Sequence, residues 1–440
     1  MIWKFLRIVY LHPSIVTPKH DNGYSLPPAD TDSRLRDWIS NTAMRFVHLE
    51  RRFDPFFRTA FDFLFREPLT LLTNALINLQ RKNEGYKLAE ERIQPDEEEH
   101  LDDIIATMAN QMRRLWQLGD YQRCGNTKTH GIVRGEVIIR DDIPEHMRRG
   151  IFAKPQTFQA WVRFSGPGPY ITPDIDDVGF MSISLKIMGV PGRKLMQDEK
   201  FTQDMFGVST PTFVTADTKS NADLQHWSYK NASIFHFLKF RNSHILDFIM
   251  QGLWLRTQSS PLESQYFSCV PYLLGEGQAM VYSFWSRLKT RTRIPRLPLR
   301  PPDNYLRDAM VATLARQDVE FDVKVQVQTD PFRMPIENNA VYWPPRRSPR
   351  VPVAILRIPK QKFDSPGQIA FPGRLSFNPW HCIPEHQPLG NQSRARHRMY
   401  ETLSAFRQTV NHLQHFEPTG DEVFPSTQEA STTVRASVGQ

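Results

Sequence analysis

Between residues 131 and 358 the chain keeps returning to the two-residue alternation of a β-strand, and that recurrence does most to limit its fold. β-Branched and aromatic residues alternate over Gly131 to Ile139, Ala160 to Phe164, Met181 to Ile187 and Thr212 to Thr215. They do so again over Gln265 to Val270, Gln278 to Trp285, Val319 to Gln328 and Val353 to Ile358. About eight strands, with helical segments set apart rather than interleaved, predict an α+β fold built on an antiparallel β-barrel. The 34 prolines exceed the usual share of ~5% and fit long ordered loops, Ile294 to Pro302 (IPRLPLRPP) among them.

The helical segments lie mainly outside this region. Residues 17 to 34 read as a loop or arm. Leu35 to Leu79 reads as helical and aromatic, with Pro55 and Pro68 expected to break it into shorter helices. Arg51, Arg52, Arg58 and Arg66 alternate with its phenylalanines. That pattern suits peripheral contact with a membrane surface, the cap of an apolar channel, or an arm packed on the main domain or on a second subunit of a homo-oligomer. An acidic linker, Pro95 to Glu99, precedes a helix expected over Leu101 to Leu118, and a helical insert is expected over Ser220 to Trp254. The expected division is an N-terminal arm with amphipathic helices at 1–120, a main domain at 121–415, and a disordered polar tail at 416–440.

Near the C-terminus, Asn391 to Phe416 reads as a helix, because Met399, Leu403, Phe406, Val410 and Leu413 recur at the spacing of one buried stripe. Arg396 lies four residues before Tyr400 and Arg407 seven after it, so at about 100° per residue all three share a face. A guanidinium one turn from a phenol favours the phenolate, and a phenolate can serve as an axial ligand of haem iron.

A second set of motifs runs in order along the chain. It comprises Thr129-His130-Gly131, then Val162-Arg163-Phe164-Ser165, then Asp176-Asp177-Val178-Gly179-Phe180, then Thr210-Pro211-Thr212-Phe213. With Arg396, Tyr400 and Arg407 this order resembles the catalase superfamily over roughly Thr127 to Arg407. The block from Phe377-Asn378-Pro379-Trp380-His381 to Pro388-Leu389-Gly390 resembles more specifically the small catalase-related haem proteins. The resemblance implies a catalase-like haem domain holding haem b, with Tyr400 as iron ligand and metal-binding residue and Arg396 as the donor that keeps it ionised. It implies Arg163 and Arg407 as propionate partners and Phe164 as a wall of the haem pocket. His130 would be the distal acid–base group, oriented by Ser165. The implied activity is a haem-dependent, peroxidase- or catalase-like oxidoreduction with hydrogen peroxide or an organic hydroperoxide.

Three departures qualify that activity. Val208-Ser209 replaces the family's asparagine pair, Thr127 replaces an arginine three residues before the histidine with Lys128 as a substitute, and Thr129 replaces a valine. Threonine at that position also occurs in relatives that rearrange fatty-acid hydroperoxides, where its hydroxyl can restrain the histidine. A lipid or specialised metabolite is therefore the expected substrate. The alternative is a non-catalytic haem carrier or sensor, which would keep Tyr400 and could dispense with His130 and Ser165.

Composition excludes other classes. Of the 440 residues, 40% are hydrophobic and 23% charged, a globular balance. The formal charge of +8 permits anionic partners, but no dense basic run with interleaved aromatics predicts a nucleic-acid partner. Cys124, Cys269 and Cys382 lie far apart, which suits free thiols in a reducing compartment, and Cys382 beside His381 is not made a nucleophile by adjacency alone. Dinucleotide, P-loop, G-x-S-x-G and H-E-x-x-H patterns do not occur. No uncharged apolar run reaches the ~18 residues of a membrane span, and Lys4 and Arg7 interrupt the apolar start. A cytoplasmic location is expected, with peripheral membrane contact through the arm as the other outcome.

Overall fold

The computed structural model describes residues 34–239 and 243–424, so the loop expected at 17–34, save for Arg34, which begins a helix, and most of the expected tail lie outside the described residues. Nine strands form one antiparallel sheet: β1 (Thr129–Ile139), β2 (Thr157–Ser165), β3 (Ser182–Ile187), β4 (Gln203–Val208), β5 (Gln265–Phe267), β6 (Tyr272–Leu273), β7 (Ala279–Ser286), β8 (Val319–Val327) and β9 (Val351–Ile358). Their order is β5-β4-β3-β2-β1-β9-β8-β7-β6, and β5 also pairs with β7. Eight strands therefore close into a barrel while the two-residue β6 stays on the flank of β7. Closure removes the exposed edges that an open sheet would present. Side chains of alternate residues fill the interior. On β2, Ala160, Val162 and Phe164 point into the barrel core. Trp161 points the other way, against Ile132, Phe371 and Leu375.

The principal helices are α1 (Arg34–Phe61), α2 (Glu67–Gln80), α3 (Glu97–Leu115), α4 (Thr218–Tyr229), α5 (Ile245–Trp254), α6 (Tyr305–Leu314) and α7 (Asn391–Val410). Pro55 does not break α1, contrary to expectation. Proline lacks the N–H that would reach the carbonyl of Arg51, and the Thr257 hydroxyl donates to that carbonyl at 2.7 Å instead. A π-helical turn, Asp62–Arg66, joins α1 to α2, which carries Pro68 as its second residue, so Pro68 does not break the chain of helices either. Glu97, Glu98 and Glu99 are the first turn of α3 and not a linker, which places acids at the positive end of the helix dipole.

Two further boundaries differ. The T-P-x-F run is not a strand: β4 ends at Val208, and residues 209–213 bend away from it. Helix α7 stops at Val410, short of Leu413 and Phe416. Residues 417–424 dock on the barrel rather than trailing from it. The Glu417 carboxylate accepts from the backbone N–H groups of Lys200, Phe201 and Thr202, and Glu422 accepts from Trp161 Nε1 at 2.7 Å.

Helix α3 packs on the C-terminal helix α7. Leu101, Ile104 and Met112 pack on Ala395, Met399 and Leu403 of α7. Arg394 pins the start of α7 by ion pairs to Glu91 (2.6 Å), Glu97 (2.7 Å) and Glu337 (3.0 Å). Gly390 caps that helix with φ 87°, and a Cβ there would lie 2.4 Å from the carbonyl oxygen of Ile336. Only glycine meets both conditions.

Candidate functional site

A cavity of about 280 Å³ lies outside the barrel, between the outer face of β2–β4 and helices α3, α4 and α7. Met108 and Met112 come from α3, Phe206 from β4 and Leu224 from α4. Helix α7 contributes Met399, Tyr400, Leu403, Ser404 and Arg407. Of the residues expected on one face of α7, Tyr400 and Arg407 reach the cavity. Arg396 lies behind them, its guanidinium carbon 5.5 Å from the centre of the Tyr400 ring and 5.6 Å from that of Phe206. Burial works against the Arg396 charge, but the phenols of Tyr400, Tyr272 and Tyr282 outweigh it, and its pKa lies above the ordinary guanidinium value.

Arg163 also lines the cavity, because the period of two that turns Phe164 into the barrel turns Arg163 out. Phe164 is therefore not a wall of this cavity. It packs in the barrel beside Tyr266 and Phe321. A third arginine, Arg123, lines the same cavity and was not singled out from the sequence. Its guanidinium donates to the carbonyls of Pro372 and Leu375, both at 2.7 Å. Arg407 donates to the carbonyls of Gly373 and Leu375. Arg163 donates to Thr129 Oγ1 (2.7 Å), Ser165 Oγ (3.2 Å) and the carbonyl of Asn126 (2.5 Å). Among the described residues none of the three forms an ion pair with a carboxylate. Burial lowers the Arg407 pKa to about 10, and burial together with Arg407 lowers that of Arg163 to about 9. Arg123 is pushed well below its ordinary value by burial and by both of the others. Two buried guanidiniums, Arg163 and Arg407, and the half-buried Arg123 repel one another on one cavity wall, an arrangement that an anion would relieve.

His130 occupies a bulge in β1. Thr129 pairs with Ser165 and Gly131 with Phe164, so the register slips across the histidine, a feature that re-aims a side chain. Arg307 of α6 holds the bulge by donating to the carbonyls of Thr129 (2.7 Å) and His130 (3.0 Å). The imidazole is buried, and neither ring nitrogen makes a hydrogen bond among the described residues. Its nearest charged partner is Asp174, 3.6 Å from Nδ1. Burial first, then Lys128, Arg307 and Arg163, hold its pKa well below the ordinary histidine value, so the ring is neutral at pH 7. His130 is not on the cavity lining. Gly166 lies beside it, with a Cβ there only 3.6 Å from Nε2, and Pro167, Pro169 and Tyr170 of the same segment line the cavity.

The hydroxyls expected to act on His130 are turned elsewhere. Those of Thr129 and Ser165 both accept from Arg163. Lys128 does not substitute for the missing arginine. Its ammonium pairs with Asp174 at 2.7 Å and donates to the carbonyls of Thr172 and Asp303. Ser209 Oγ accepts from the Met181 N–H at 2.9 Å, which leaves Val208 on the cavity.

No protein-family model matches the sequence, and no curated protein matches it. Solved structures do. A fungal catalase superposes with a TM-score of 0.52 at 15% identity, over 78% of this chain and 70% of that one. Catalase A from Saccharomyces cerevisiae gives 0.52 at 14% identity, over 73% and 68%. The chain has a catalase-like fold. Within that fold the structure brings Tyr400, Arg163 and Arg407 to one cavity, adds Arg123, and leaves His130, Ser165, Thr129 and Phe164 off its lining.

Proposed function

We propose that this chain is a haem-dependent oxidoreductase that takes its oxidising power from hydrogen peroxide or an organic hydroperoxide. The unpaired trio Arg123, Arg163 and Arg407, on the cavity that also presents Tyr400, carries this reading. The two propionates of haem b would supply the anions that the trio lacks, as charge-assisted and bidentate hydrogen bonds to arginine do elsewhere. Tyr400 would hold the iron, with Arg396 as a fixed cation beside its ring. Bound haem iron supplies the redox chemistry that cleaves a peroxide O–O bond.

The protein's own part is to move protons and exclude water. A neutral His130 with both nitrogens unpaired can take a proton and return it, provided the Gly166 to Tyr170 segment admits the oxidant to it. Val208 offers no polar group to a small peroxide, while Met108, Met112, Phe206, Leu224 and Leu403 make the walls apolar. Burying an acyl chain against such walls is worth about 0.8 kcal/mol per methylene, which favours an organic hydroperoxide over hydrogen peroxide.

Stopped-flow oxidation of the haem-loaded protein by a fatty-acid hydroperoxide tests the activity. His130→Ala is expected to slow it on the order of 10²-fold. Oxygen release from hydrogen peroxide without hydroperoxide turnover would contradict the substrate class. An unchanged rate in the variant would support a second reading, a non-catalytic haem carrier or sensor. One observation favours that reading: the Thr129 and Ser165 hydroxyls serve Arg163 and leave His130 unsupported.

A further inference from the structure

The arm formed by α1, the π-helical turn and α2 turns large apolar residues outward and, beside Ala43, Val47 and Ile77, buries many polar ones. Ser40, Glu50, Arg51, Asp54, Arg58, Thr70, Thr73 and Asn74 are buried against the body. The outward residues are large and apolar, with Trp38 65%, Phe56 69%, Phe63 87% and Leu79 80% exposed. On α1, Leu35, Trp38, Phe46, Leu49, Phe53 and Phe56 fall within a sector about 80° wide at 100° per residue. Of the arginines that alternate with the phenylalanines, Arg51 and Arg58 face inward, Arg58 donating to the carbonyls of Leu253 and Leu255, while Arg52 and Arg66 are half-buried. Among the described residues of the arm, Arg34, Arg45 and Glu67 are the exposed charges.

A basic loop borders this face. Residues 287–300 carry Arg287, Lys289, Arg291, Arg293, Arg296 and Arg300 and no acid. Arg287 pairs with Glu320 and Asp322. The other five have no ion-pair partner among the described residues. The arm touches the loop directly, since Arg52 donates to the carbonyls of Pro298 (3.2 Å) and Leu299 (2.7 Å). Between them lies a pocket lined by Arg58, Arg256, Arg291 and Arg293, with Phe56 on it. The Asp62 carboxylate is shared by Arg58 (2.6 Å), Arg66 (3.1 Å) and Arg256 (3.9 Å). The nearby Glu263 is taken up by Thr292 and Ser259.

We propose that the arm and this loop form a docking surface for an anionic lipid bilayer, with a lipid phosphate seated among Arg256, Arg291 and Arg293. An apolar helix face combined with a basic cluster gives the two signals that stable peripheral attachment requires. No helix of the described residues is long and apolar enough to cross a membrane, so α1 lies along the surface. A second copy of the chain is a poorer occupant. It would bring two loops of five unpaired cations toward each other, with Glu67 the one exposed acid on the arm to meet them. This surface is separate from the cavity and stands independently of the haem reading.

Co-sedimentation of the full chain with vesicles tests it, using phosphatidylcholine alone or with phosphatidylserine added to about a third. Wild type is expected to bind the anionic vesicles at least tenfold more tightly, and less so as salt is raised. Arg291→Glu with Arg293→Glu, both exposed and so compatible with the fold, is expected to weaken that binding on the order of tenfold. Phe56→Ser with Phe63→Ser is expected to weaken it further. Equal binding to both vesicles, no binding at all, or indifference to the charge reversals would overturn the proposal. So would a dimer in light scattering that the phenylalanine substitutions abolish while vesicle binding stays absent.

Discussion

Buried charge in this protein is of two kinds, and the difference carries chemical meaning. Arg394 and Lys186 are surrounded by carboxylates. The Lys186 ammonium lies 2.8 Å from Asp204 and 2.5 Å from Glu199, with His381 in the same cluster at 3.0 Å from Asp204 and 3.2 Å from Glu199. Arg123, Arg163 and Arg407 meet carbonyls, hydroxyls, one another and, for Arg123, the Phe377 ring, with no carboxylate partner among the described residues. The first kind is structural and titrates as such. Burial lowers the His381 pKa, but hydrogen bonds to Asp198 and Asp204 outweigh it against the opposition of Lys186, and the pKa rises to about 9. A raised folded-state pKa stabilises below the unfolded value of about 6.5, and that stability is lost as pH climbs toward 9. Denaturation of the wild type is expected to lose on the order of 3 kcal/mol over this window. His381→Asn is expected to show a flat profile there, and the same slope in both proteins would contradict the assignment. His130 has the opposite sign. Its depressed pKa means that its stability contribution weakens as pH falls below about 6.5.

At the scale of elements, α1 depends on a contact from elsewhere in the chain. Thr257 fills the hydrogen-bond vacancy that Pro55 makes, which is why a helix predicted to break stays whole. Thr257→Val keeps the shape and removes the donor. Leaving the buried Arg51 carbonyl unmatched costs roughly 1–3 kcal/mol, readable as a lower urea midpoint with an unchanged slope. An unaltered midpoint would mean that the helix tolerates Pro55 without Thr257. The strands show where pattern succeeds and where it fails. Those around β1, β2, β7, β8 and β9 alternate cleanly because one face meets the barrel core. β4 was not legible, since Gln203 and Asp204 look like loop residues until the buried Lys186 and His381 cluster explains Asp204. The β-branched run at Thr212 to Thr215 imitated a strand without having a partner strand. Arg123 could not be found by any period, because it lies in the irregular stretch between α3 and β1.

For the molecule as a whole, the barrel was readable from alternation, and the catalase-like resemblance fixed the order of its parts. The cavity was readable in part. Helical spacing put Arg396, Tyr400 and Arg407 on one face of α7, of which Tyr400 and Arg407 line the cavity, and a strand period of two carried Arg163 to them while taking Phe164 away. The bulge at His130 and the turning of Thr129 and Ser165 toward Arg163 depend on tertiary contacts with no sequence signature. The proposed haem seat consists of the three guanidiniums of Arg123, Arg163 and Arg407 together with Tyr400. Titration of the purified chain with haemin, followed by visible absorption, tests it most directly. Wild type is expected to bind one haem with a tyrosinate-type ferric spectrum. Arg407→Leu is expected to weaken binding on the order of tenfold or more, and Tyr400→Phe to change the spectrum outright. The same affinity and the same spectrum in all three proteins would contradict the account.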